Sequence, residues 1–527
     1  MRGLRTNTAH SAWRIGIKRL AQALCTLLLI LVAIAWLYPV TPLEAIDKPH
    51  NHSIPFSGST LLGQLATEYA KEGDQTGKTG FYPLANGQEA LLARLALIDN
   101  AQTSVDLQYY IYRDDSTSSL LTYALYLAAE RGVRVRVLLD DMQARNDSDM
   151  ASLAAHPNIE LRLFNPFANR SLRALDFIND FKRMNRRMHN KSIIADNAFA
   201  IAGGRNIGNE YFAANHEVDF GDFDFLLTGQ SVPEISNQFD LYWNSTPAVP
   251  STMLFEQQSQ PDASHIEQWK QTLNEHFNGS DYAANIDELP LIKALKDEKL
   301  KFYWGEADVH YDQPTKVYKP SNDDFMLNAL DGILRQAETS FLLVSPYFVP
   351  TQAGTDLLVS AAHSGIDITI ITNSLASNDV FAVHGWYAKY RAQLLAAGIK
   401  LYEVKADPKI KKKYSWLGSS RTSLHAKTFI LDDSKIFAGS FNFDPRSAFL
   451  NTEMGVLIEA PQFVTHALAN LDKHLAQNTY RLSLTQNNDI VWHNDRTQQE
   501  FTSEPDASLL LRLGAWGAGI LPIEEQL

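Results

Sequence analysis

The chain has 527 residues, 45% hydrophobic and 20% charged, a composition typical of globular proteins that excludes collagen-like, low-complexity and disordered chains. Lys and Arg number 47 against 60 Asp and Glu, and the net charge of −13 argues against a protein that binds polyanions through a generally basic surface. The single cysteine, Cys25, excludes intramolecular disulfides and cysteine-rich zinc sites.

The amino-terminal segment has the pattern of a membrane anchor. Residues 20–40 contain no charged side chain, and about 21 residues suffice to cross the hydrocarbon core of a bilayer as a helix. All five charged residues within 1–19 are basic, while Glu44 and Asp47 follow the apolar stretch. The positive-inside rule therefore predicts a cytoplasmic N-terminus at 1–19, a transmembrane helix at 20–40 and an extracytoplasmic remainder. A cleaved signal peptide is the alternative, although Leu43–Ala45 makes a poor cleavage site.

The net charge of the chain after residue 19 argues against binding to nucleic acids. Beyond the basic amino-terminal residues, 42 Lys and Arg stand against 60 Asp and Glu, a net charge of −18. Nucleic acids repel such a surface, so we predict no nucleic-acid partner.

Helical and strand patterns alternate along the rest of the chain. Residues 87–101 have apolar positions at helical spacing, and residues 103–112 resemble a strand. The alternation predicts βαβ units in a mixed β-sheet flanked by helices. We predict a first α/β domain at 60–250, a linker or accessory region at 251–319, a second domain at 320–480 and a C-terminal segment at 481–527.

An internal repeat relates the two predicted domains. Ser104 and Ser340 each open a predicted strand, and His189 and His425 each open a rarer motif, with the same offset of 236 positions in both pairs. A chance match of a few residues would not reproduce this spacing at a second motif. The repeat predicts a duplicated domain.

Each repeat contains His-x-Lys-x-x-x-x-Asp followed, after six residues, by Gly-x-x-Asn. Residues i and i+2 of a strand point to one face, so each His can project with its Lys toward a single ligand. We predict that the His, Lys and Asp residues of both motifs are catalytic. The paired Asp residues have a second explanation, because Asp is also a favoured turn residue. The motif residues are His189, Lys191, Asp196, Gly203 and Asn206, and then His425, Lys427, Asp432, Gly439 and Asn442.

This set of side chains suits phosphoryl transfer. The reaction needs positive charge around the phosphoryl oxygens, an in-line nucleophile and a proton source for the leaving group. Two facing His-Lys-Asn sets supply all three, because one imidazole can attack phosphorus while the other transfers the proton. The two lysines supply the positive charge, so we predict neither a metal nor another cofactor.

The segments 188–212 and 424–455 resemble the two HKD motifs of the phospholipase D superfamily, and residues 80–527 resemble bacterial cardiolipin synthases. This resemblance implies two α/β domains related by a pseudo-twofold axis, with one active site between them. It also implies phosphatidyl transfer through a phosphohistidine, with phosphatidylglycerol and phosphatidylethanolamine as substrates, in an enzyme of the bacterial inner membrane. The sequence leaves the oligomeric state open.

Residue roles follow from the resemblance. His189 resembles the family nucleophile and His425 the general acid and base, although the two roles could be exchanged. The lysines and asparagines of both motifs would then hold the phosphate. Glu453 fits the position of the acidic residue that orients a histidine, and Asp222 is its expected first-half counterpart, with Asp224 and Glu217 as neighbours.

Three other functions share parts of this pattern. A hydrolytic phospholipase D would use the same residues with water as acceptor and release phosphatidic acid. A nuclease or other phosphodiesterase is disfavoured by the charge of −18 and by the predicted anchor. A non-catalytic membrane scaffold is disfavoured because both His-Lys-Asn sets are complete.

Overall fold

The computed structural model describes residues 46–71, 75, 77–143, 145–212, 221–255, 262–278, 300–321, 325–406 and 424–527, together with parts of 18–37. Two successive groups of strands and helices follow the predicted repeat. The first group comprises α1 (Leu61–Lys71), β1 (Thr79–Leu84), α2 (Gly87–Asn100), β2 (Ser104–Tyr109), α3 (Ser116–Glu130), β3 (Arg134–Asp140), α4 (Asp147–Ala154), β4 (Ile159–Phe164), α5 (Ala174–Asn179), α6 (Phe181–Met184), β5 (Ser192–Ala195), β6 (Phe199–Gly203), α7 (Asn209–Phe212), β7 (Asp224–Gly229), α8 (Ser231–Trp243), β8 (Ala248–Pro250), α9 (Ala263–Asn278) and β9 (Tyr303–Gly305).

The second group follows directly. It comprises β10 (Ala307–Tyr311), α10 (Met326–Leu334), β11 (Ser340–Val344), α11 (Thr351–His363), β12 (Asp367–Asn373), α12 (Phe381–Tyr387), α13 (Arg391–Ala396), β13 (Lys400–Val404), β14 (Thr428–Leu431), β15 (Lys435–Gly439), α14 (Pro445–Phe449), β16 (Met454–Glu459), α15 (Pro461–Leu468), α16 (Leu471–Asn478), β17 (Thr479–Leu484), β18 (Ile490–Asn494), β19 (Gln499–Phe501) and α17 (Leu509–Ile520).

The two halves contain equivalent mixed sheets. Within the described residues, the first sheet has the strand order β8-β4-β3-β2-β5-β6-β7-β1-β9 and the second β10-β16-β15-β14-β11-β12-β13-β17-β18-β19. The strands β2, β3 and β4 are parallel, as are β11, β12 and β13, whereas β5 to β7 and β14 to β16 are antiparallel. Eight strands correspond in order and direction, from β8 to β1 in the first sheet and from β17 to β10 in the second, which confirms the predicted duplication of a mixed α/β domain.

Local sequence signals set the ends of several helices. The Asn86 side chain accepts hydrogen bonds from the backbone N–H groups of Gln88 and Glu89 and so begins α2. Asp115 and Ser118 form a capping box at the start of α3. Such caps satisfy amide groups that the first turn of a helix leaves without partners.

The two sheets share one hydrophobic core. Phe81, Ile194 and Phe225 from the first sheet form a single buried cluster with Ile430 and Val456 from the second. Burying apolar surface contributes about 25 cal/mol per Å², so this cluster holds the halves against each other. The ends of β5 and β14, where the His-x-Lys motifs lie, are thereby brought to one interface.

The region predicted as a linker, residues 251–319, contributes strands to both sheets. Here β9 pairs with β1, whereas β10 pairs with β16, so the change from one sheet to the other occurs at Glu306. The second sheet also continues through β17, β18 and β19, beyond residue 480. These strands lie at or near the edges of the sheets and are rich in polar residues. Their sequences therefore lack the apolar pattern by which buried strands are predicted.

The predicted anchor, residues 20–40, lies partly outside the described residues. Its described residues are helical, and Leu28, Leu29 and Trp36 are exposed. Among the parts of the chain that the structure describes, no helix combines the length and the apolar character required to cross a membrane. The chain after this segment is fixed on the first domain, because Lys48 Nζ donates to the carbonyls of Thr246 and Ala248 at 2.9 and 2.6 Å.

Candidate active site

The two His-x-Lys segments lie in extended backbone immediately before β5 and β14. His189, Lys191 and Lys427 are buried, and the His425 side chain is 12% exposed. The sequence pattern predicted that each pair would lie on a strand, and the structure places both pairs just before one. Their extended backbone still gives the i and i+2 spacing. Each lysine ammonium group folds back onto the carbonyl of its own histidine.

Each histidine is held by a carboxylate from the opposite half of the molecule. His189 Nδ1 lies 2.8 Å from Glu453 Oε2, and His425 Nδ1 lies 2.6 Å from Asp222 Oδ2. Backbone bonds cross the interface in the same sense, from His189 N to the Thr452 carbonyl and from His425 N to that of Gly221. The site is therefore complete only when both halves are docked.

The carboxylates also set the orientation of each imidazole. A hydrogen bond from Nδ1–H to a carboxylate leaves Nε2 as the nitrogen that carries the free lone pair. Nε2 of His425 lies 3.2 Å from Lys427 Nζ. Each ring can thus present Nε2 to a phosphorus atom or to a departing oxygen.

The buried charges shift the pKa values of the site. Burial, followed by the charges of Lys191 and Lys427, holds the pKa of His189 well below its ordinary value. Burial and Lys427 also lower the pKa of His425, although Asp222 opposes this shift.

The lysines and carboxylates respond to the same environment. Burial lowers the pKa of Lys427 to about 8 despite nearby Asp222, and burial lowers that of Lys191 despite Glu453. Burial raises the pKa of Glu453 to about 7. Burial alone would also raise the pKa of Asp222, but the charge of His425 and its hydrogen bond lower it. A bound phosphodiester anion would favour the protonated lysines by supplying the missing negative charge.

The asparagines of the motifs follow β6 and β15 and are buried. Asn206 Oδ1 accepts a hydrogen bond from Ile111 N at 3.2 Å. Asn442 Oδ1 lacks a hydrogen-bond partner within the described part of the chain. Because a buried amide oxygen seldom remains unpaired, Asn442 Oδ1 has the capacity to accept a hydrogen bond from a hydroxyl group of a ligand.

Asp196 and Asp432 lie in turns. Both lie at the far ends of β5 and β14 from the histidines, in turns where their φ angles are 51° and 50°. The Asp196 carboxylate accepts the amide groups of residues 102, 103 and 104, and Asp432 accepts those of residues 338, 339 and 340. These hydrogen bonds are those of turn anchors, which is the second explanation of the paired Asp residues, and they do not extend to the histidines.

Several supporting residues were not found from the sequence. Ser440 Oγ donates to Glu453 Oε2, and Glu453 N donates to Asp312 Oδ2 at 2.8 Å. The counterpart of Ser440 is Gly204, where an added Cβ would lie 2.5 Å from Asp222 Oδ1. The repeat offset could have identified the Gly204–Ser440 pair, whereas no local pattern marks Asp312.

Two tyrosines were also missed. The ring of Tyr110 meets that of His189 edge-on with centroids 4.9 Å apart, and Tyr211 meets His425 in the same way at 5.4 Å. These contacts restrict rotation of the imidazoles. The tyrosines occupy different positions in the two repeats, so the internal repeat gives no signal for them.

Of the two neighbouring carboxylates considered as alternatives to Asp222, Asp224 forms ion pairs with Arg94 and Arg205. Glu217 lies outside the described residues. Asp222 is the carboxylate that contacts His425.

A separate group of ligand-type side chains comprises His384, Glu403 and Glu504. Arg391 lies among them, with Nη1 at 2.6 Å from Glu504 Oε1 and Nε at 3.0 Å from Glu403 Oε1. The guanidinium group neutralises both carboxylates and occupies the position that a cation would need. This group is a buried ion-pair cluster.

Two segments of the chain match one protein family. Residues 95–243 and 330–475 match the family described as "Cardiolipin synthase, PLD-like domain". Cardiolipin synthase C of Escherichia coli is 39% identical over 466 residues, covering 85% of this chain and 96% of the relative. The major cardiolipin synthase of Bacillus subtilis is 26% identical over 71% of this chain and 64% of its own length.

A solved structure is similar in fold. The phosphatidylserine synthase of Haemophilus influenzae Rd KW20 superimposes with a TM-score of 0.54 over 88% of this chain and 100% of that chain, at 14% sequence identity. An uncharacterised protein of Helicobacter pylori is 34% identical over 89% of this chain and 93% of the relative.

The turn anchors lead to a stability prediction. Asp196→Ala removes the acceptor of three backbone amides, so we expect a loss of about 1–3 kcal/mol in the free energy of unfolding. Turnover per folded molecule should remain within about twofold, because Asp196 does not reach the histidines. Chemical denaturation and steady-state turnover check this, with exposed Asp99→Ala as the control. A large loss of turnover at unchanged stability would contradict the structural assignment.

The buried lysines lead to a catalytic prediction. Lys191→Met or Lys427→Met keeps an apolar stem but removes a charge that we predict to lie beside the phosphoryl oxygens of a bound substrate, so we expect turnover to fall about 10²–10³-fold. Thermal unfolding should change little, because an incompletely paired buried charge is removed. The matched control is Lys400→Met, whose exposed side chain pairs with Asp367. Near wild-type turnover in either site variant would contradict a shared phosphate site.

Proposed function

The chain belongs to the cardiolipin synthase, phospholipase D-like domain family, and from this premise we propose that it is a phosphatidyltransferase that makes cardiolipin. The donor is phosphatidylglycerol, and the second lipid is phosphatidylglycerol or phosphatidylethanolamine. The observation that carries the proposal is the pair of histidines, each held by a carboxylate from the opposite half, beside two buried lysines. This geometry supports two successive displacements at one phosphorus atom.

In the first step, Nε2 of His189 attacks the phosphorus atom of the donor lipid, and the bond between this phosphorus and the headgroup oxygen breaks. His425 gives its proton to the departing oxygen, and the product is a phosphatidyl group on His189. Lys191, Lys427 and the Asn206 and Asn442 amides stabilise the charge that builds on the non-bridging oxygens.

In the second step, neutral His425 takes a proton from the acceptor hydroxyl. The acceptor oxygen bonds to phosphorus while the P–Nε2 bond breaks, which restores His189 and yields the four-chain lipid. Charge distribution favours this division of roles. The pKa of His189 is held well below its ordinary value by burial and by Lys191, whereas Asp222 supports the protonated form of His425.

Product analysis tests the reaction. Purified full-length protein supplied with phosphatidylglycerol in mixed micelles should form a four-chain lipid and release glycerol in equal amounts. His189→Asn should abolish both products. Lipid mass spectrometry with a glycerol assay provides the measurement, and formation of phosphatidic acid alone would favour the hydrolytic alternative.

The covalent intermediate gives a second test. His425→Asn keeps the nucleophile but removes acceptor activation, so a donor with a good leaving group should leave a phosphatidyl adduct on His189. The adduct should be acid-labile and detectable by mass spectrometry after mild digestion. An adduct on His425 that survives His189→Asn would exchange the two roles. Absence of any adduct, together with inversion at a chiral phosphorus, would contradict the two-step route.

We further propose that the enzyme is anchored in the bacterial inner membrane by residues 20–40, with its catalytic part extracytoplasmic. The absence of charge in this segment and the five basic residues before it support the proposal. The C-terminal helix α17 adds support, because Leu510, Leu513 and Trp516 are 54–82% exposed along one side. Such a face suits the membrane interface.

A fusion experiment tests the topology. Alkaline phosphatase joined to the C-terminus should be active, because that reporter folds only outside the cytoplasm. A cytoplasm-active reporter at the same position should give little signal. The control joins both reporters before residue 20, where the activities should be reversed. Activity of the C-terminal cytoplasmic reporter alone would overturn the orientation.

A further inference from the structure

A cavity of about 320 Å³ lies in the second half of the molecule, between β11, β14 and β15 on one side and α10 and α11 on the other. Its volume falls within the range of ligand pockets. The walls are mainly apolar, with Leu330, Phe437 and Phe441 among the residues that line it.

The equivalent place in the first half is filled. Arg94, on α2, donates to Tyr109 Oη at 2.9 Å and to Asp224 Oδ2 at 2.8 Å. Arg205 Nε donates to the same Asp224 oxygen at 3.1 Å, and the Arg94 guanidinium lies over the Phe212 ring. All of these side chains are buried.

In the second half, small or apolar residues replace every member of this ion-pair network. The offset of 236 relates Arg94 to Leu330, Arg205 to Phe441 and Phe212 to Ala448. The sheet register relates Asp224 to Gly455, because they pair with the equivalent residues Gly203 and Gly439. Equivalent positions of the two domains therefore hold a buried ion-pair network in the first half and an apolar cavity in the second.

The cavity adjoins the candidate active site. Lys427 lines it and also lies 3.2 Å from both ring nitrogens of His425. Asp444, two residues after Asn442, lines the same wall. A phosphate held at the two lysines would therefore have an apolar space beside it.

We propose that this cavity binds one fatty acyl chain of the phosphatidyl donor. The inference rests on the proposed function and extends it to the lipid tail. Each buried methylene group contributes favourable transfer free energy, and most of the side chains that line the cavity are apolar. The corresponding first-half position cannot accept a second chain, because the Arg94–Asp224–Arg205 network occupies it. The two halves therefore divide their tasks, with the second half holding the lipid tail.

Two glycines provide a matched pair of variants. Gly354, on α11, lines the cavity, and an added Cβ there would make only ordinary contacts at 3.5 Å. Gly332, on α10, has no atom within 4 Å of an added Cβ. Gly354→Leu should occupy part of the cavity, whereas Gly332→Leu should place the same side chain in open space.

The test compares donors that differ only in their acyl chains. For Gly354→Leu we expect kcat/KM with dioleoylphosphatidylglycerol to fall roughly tenfold, the factor for excluding about two methylene groups. With dibutyrylphosphatidylglycerol it should stay within about twofold, and Gly332→Leu should match wild type with both donors. An equal effect on both donors, or none on either, would overturn the inference.

Glycerol release is measured separately from four-chain lipid. Glycerol release without four-chain lipid would count against the proposed function, while the ratio between donors would still report on the cavity. Four-chain lipid formed with an unchanged ratio would leave the function intact and overturn the cavity assignment.

A cross-linking experiment on the wild-type protein covers the case in which Gly354→Leu fails to fold. Phosphatidylglycerol with a diazirine near the end of one acyl chain is photolysed on the full-length protein in micelles. Labelling of peptides from α10, α11 or β15, reduced by excess dioleoylphosphatidylglycerol, supports the inference. Labelling confined to other peptides overturns it.

Discussion

The active site depends on one reciprocal interaction, in which each half of the chain supplies the carboxylate that orients the histidine of the other half. Glu453 holds His189, and Asp222 holds His425. Glu453 lies immediately before β16 and Asp222 lies two residues before β7, so each carboxylate orients an imidazole only when the two sheets are docked. The shared core of Phe81, Phe225 and Val456 therefore serves folding and chemistry together, because it sets the distance across which both pairs form.

Docking concentrates positive charge in a buried place. Burial lowers the pKa values of Lys191 and Lys427, and the nearby carboxylates Glu453 and Asp222 offset that shift only in part. A buried cation costs free energy unless it is paired. A bound phosphodiester supplies negative charge next to the two buried lysines. Relief of the unfavourable burial of these ammonium groups therefore contributes to the binding free energy of the lipid phosphate.

The duplicated frame has diverged where the two copies have different tasks. Gly204 leaves room for Asp222, whereas its counterpart Ser440 donates to Glu453. Asp224 forms ion pairs with Arg94 and Arg205 in the first half. The equivalent residue in the second half is Gly455, which has no side chain that could form such pairs. Both copies need their histidine and lysine because they share one active site. The residues that surround these side chains can differ between the two copies.

The duplication, the two His-Lys-Asn sets and the alternation of strands and helices could all be predicted from the sequence, because exact spacing and periodicity are local properties of the chain. The sequence also indicated Glu453 and Asp222 through the family resemblance. Three features became evident only in the folded molecule: each carboxylate binds the histidine of the other half, Asp196 and Asp432 anchor turns, and Asp312 supports Glu453. These features depend on contacts between residues far apart in the chain, such as His189 and Glu453, which are 264 positions apart. A local sequence pattern does not indicate which distant residues come into contact when the chain folds.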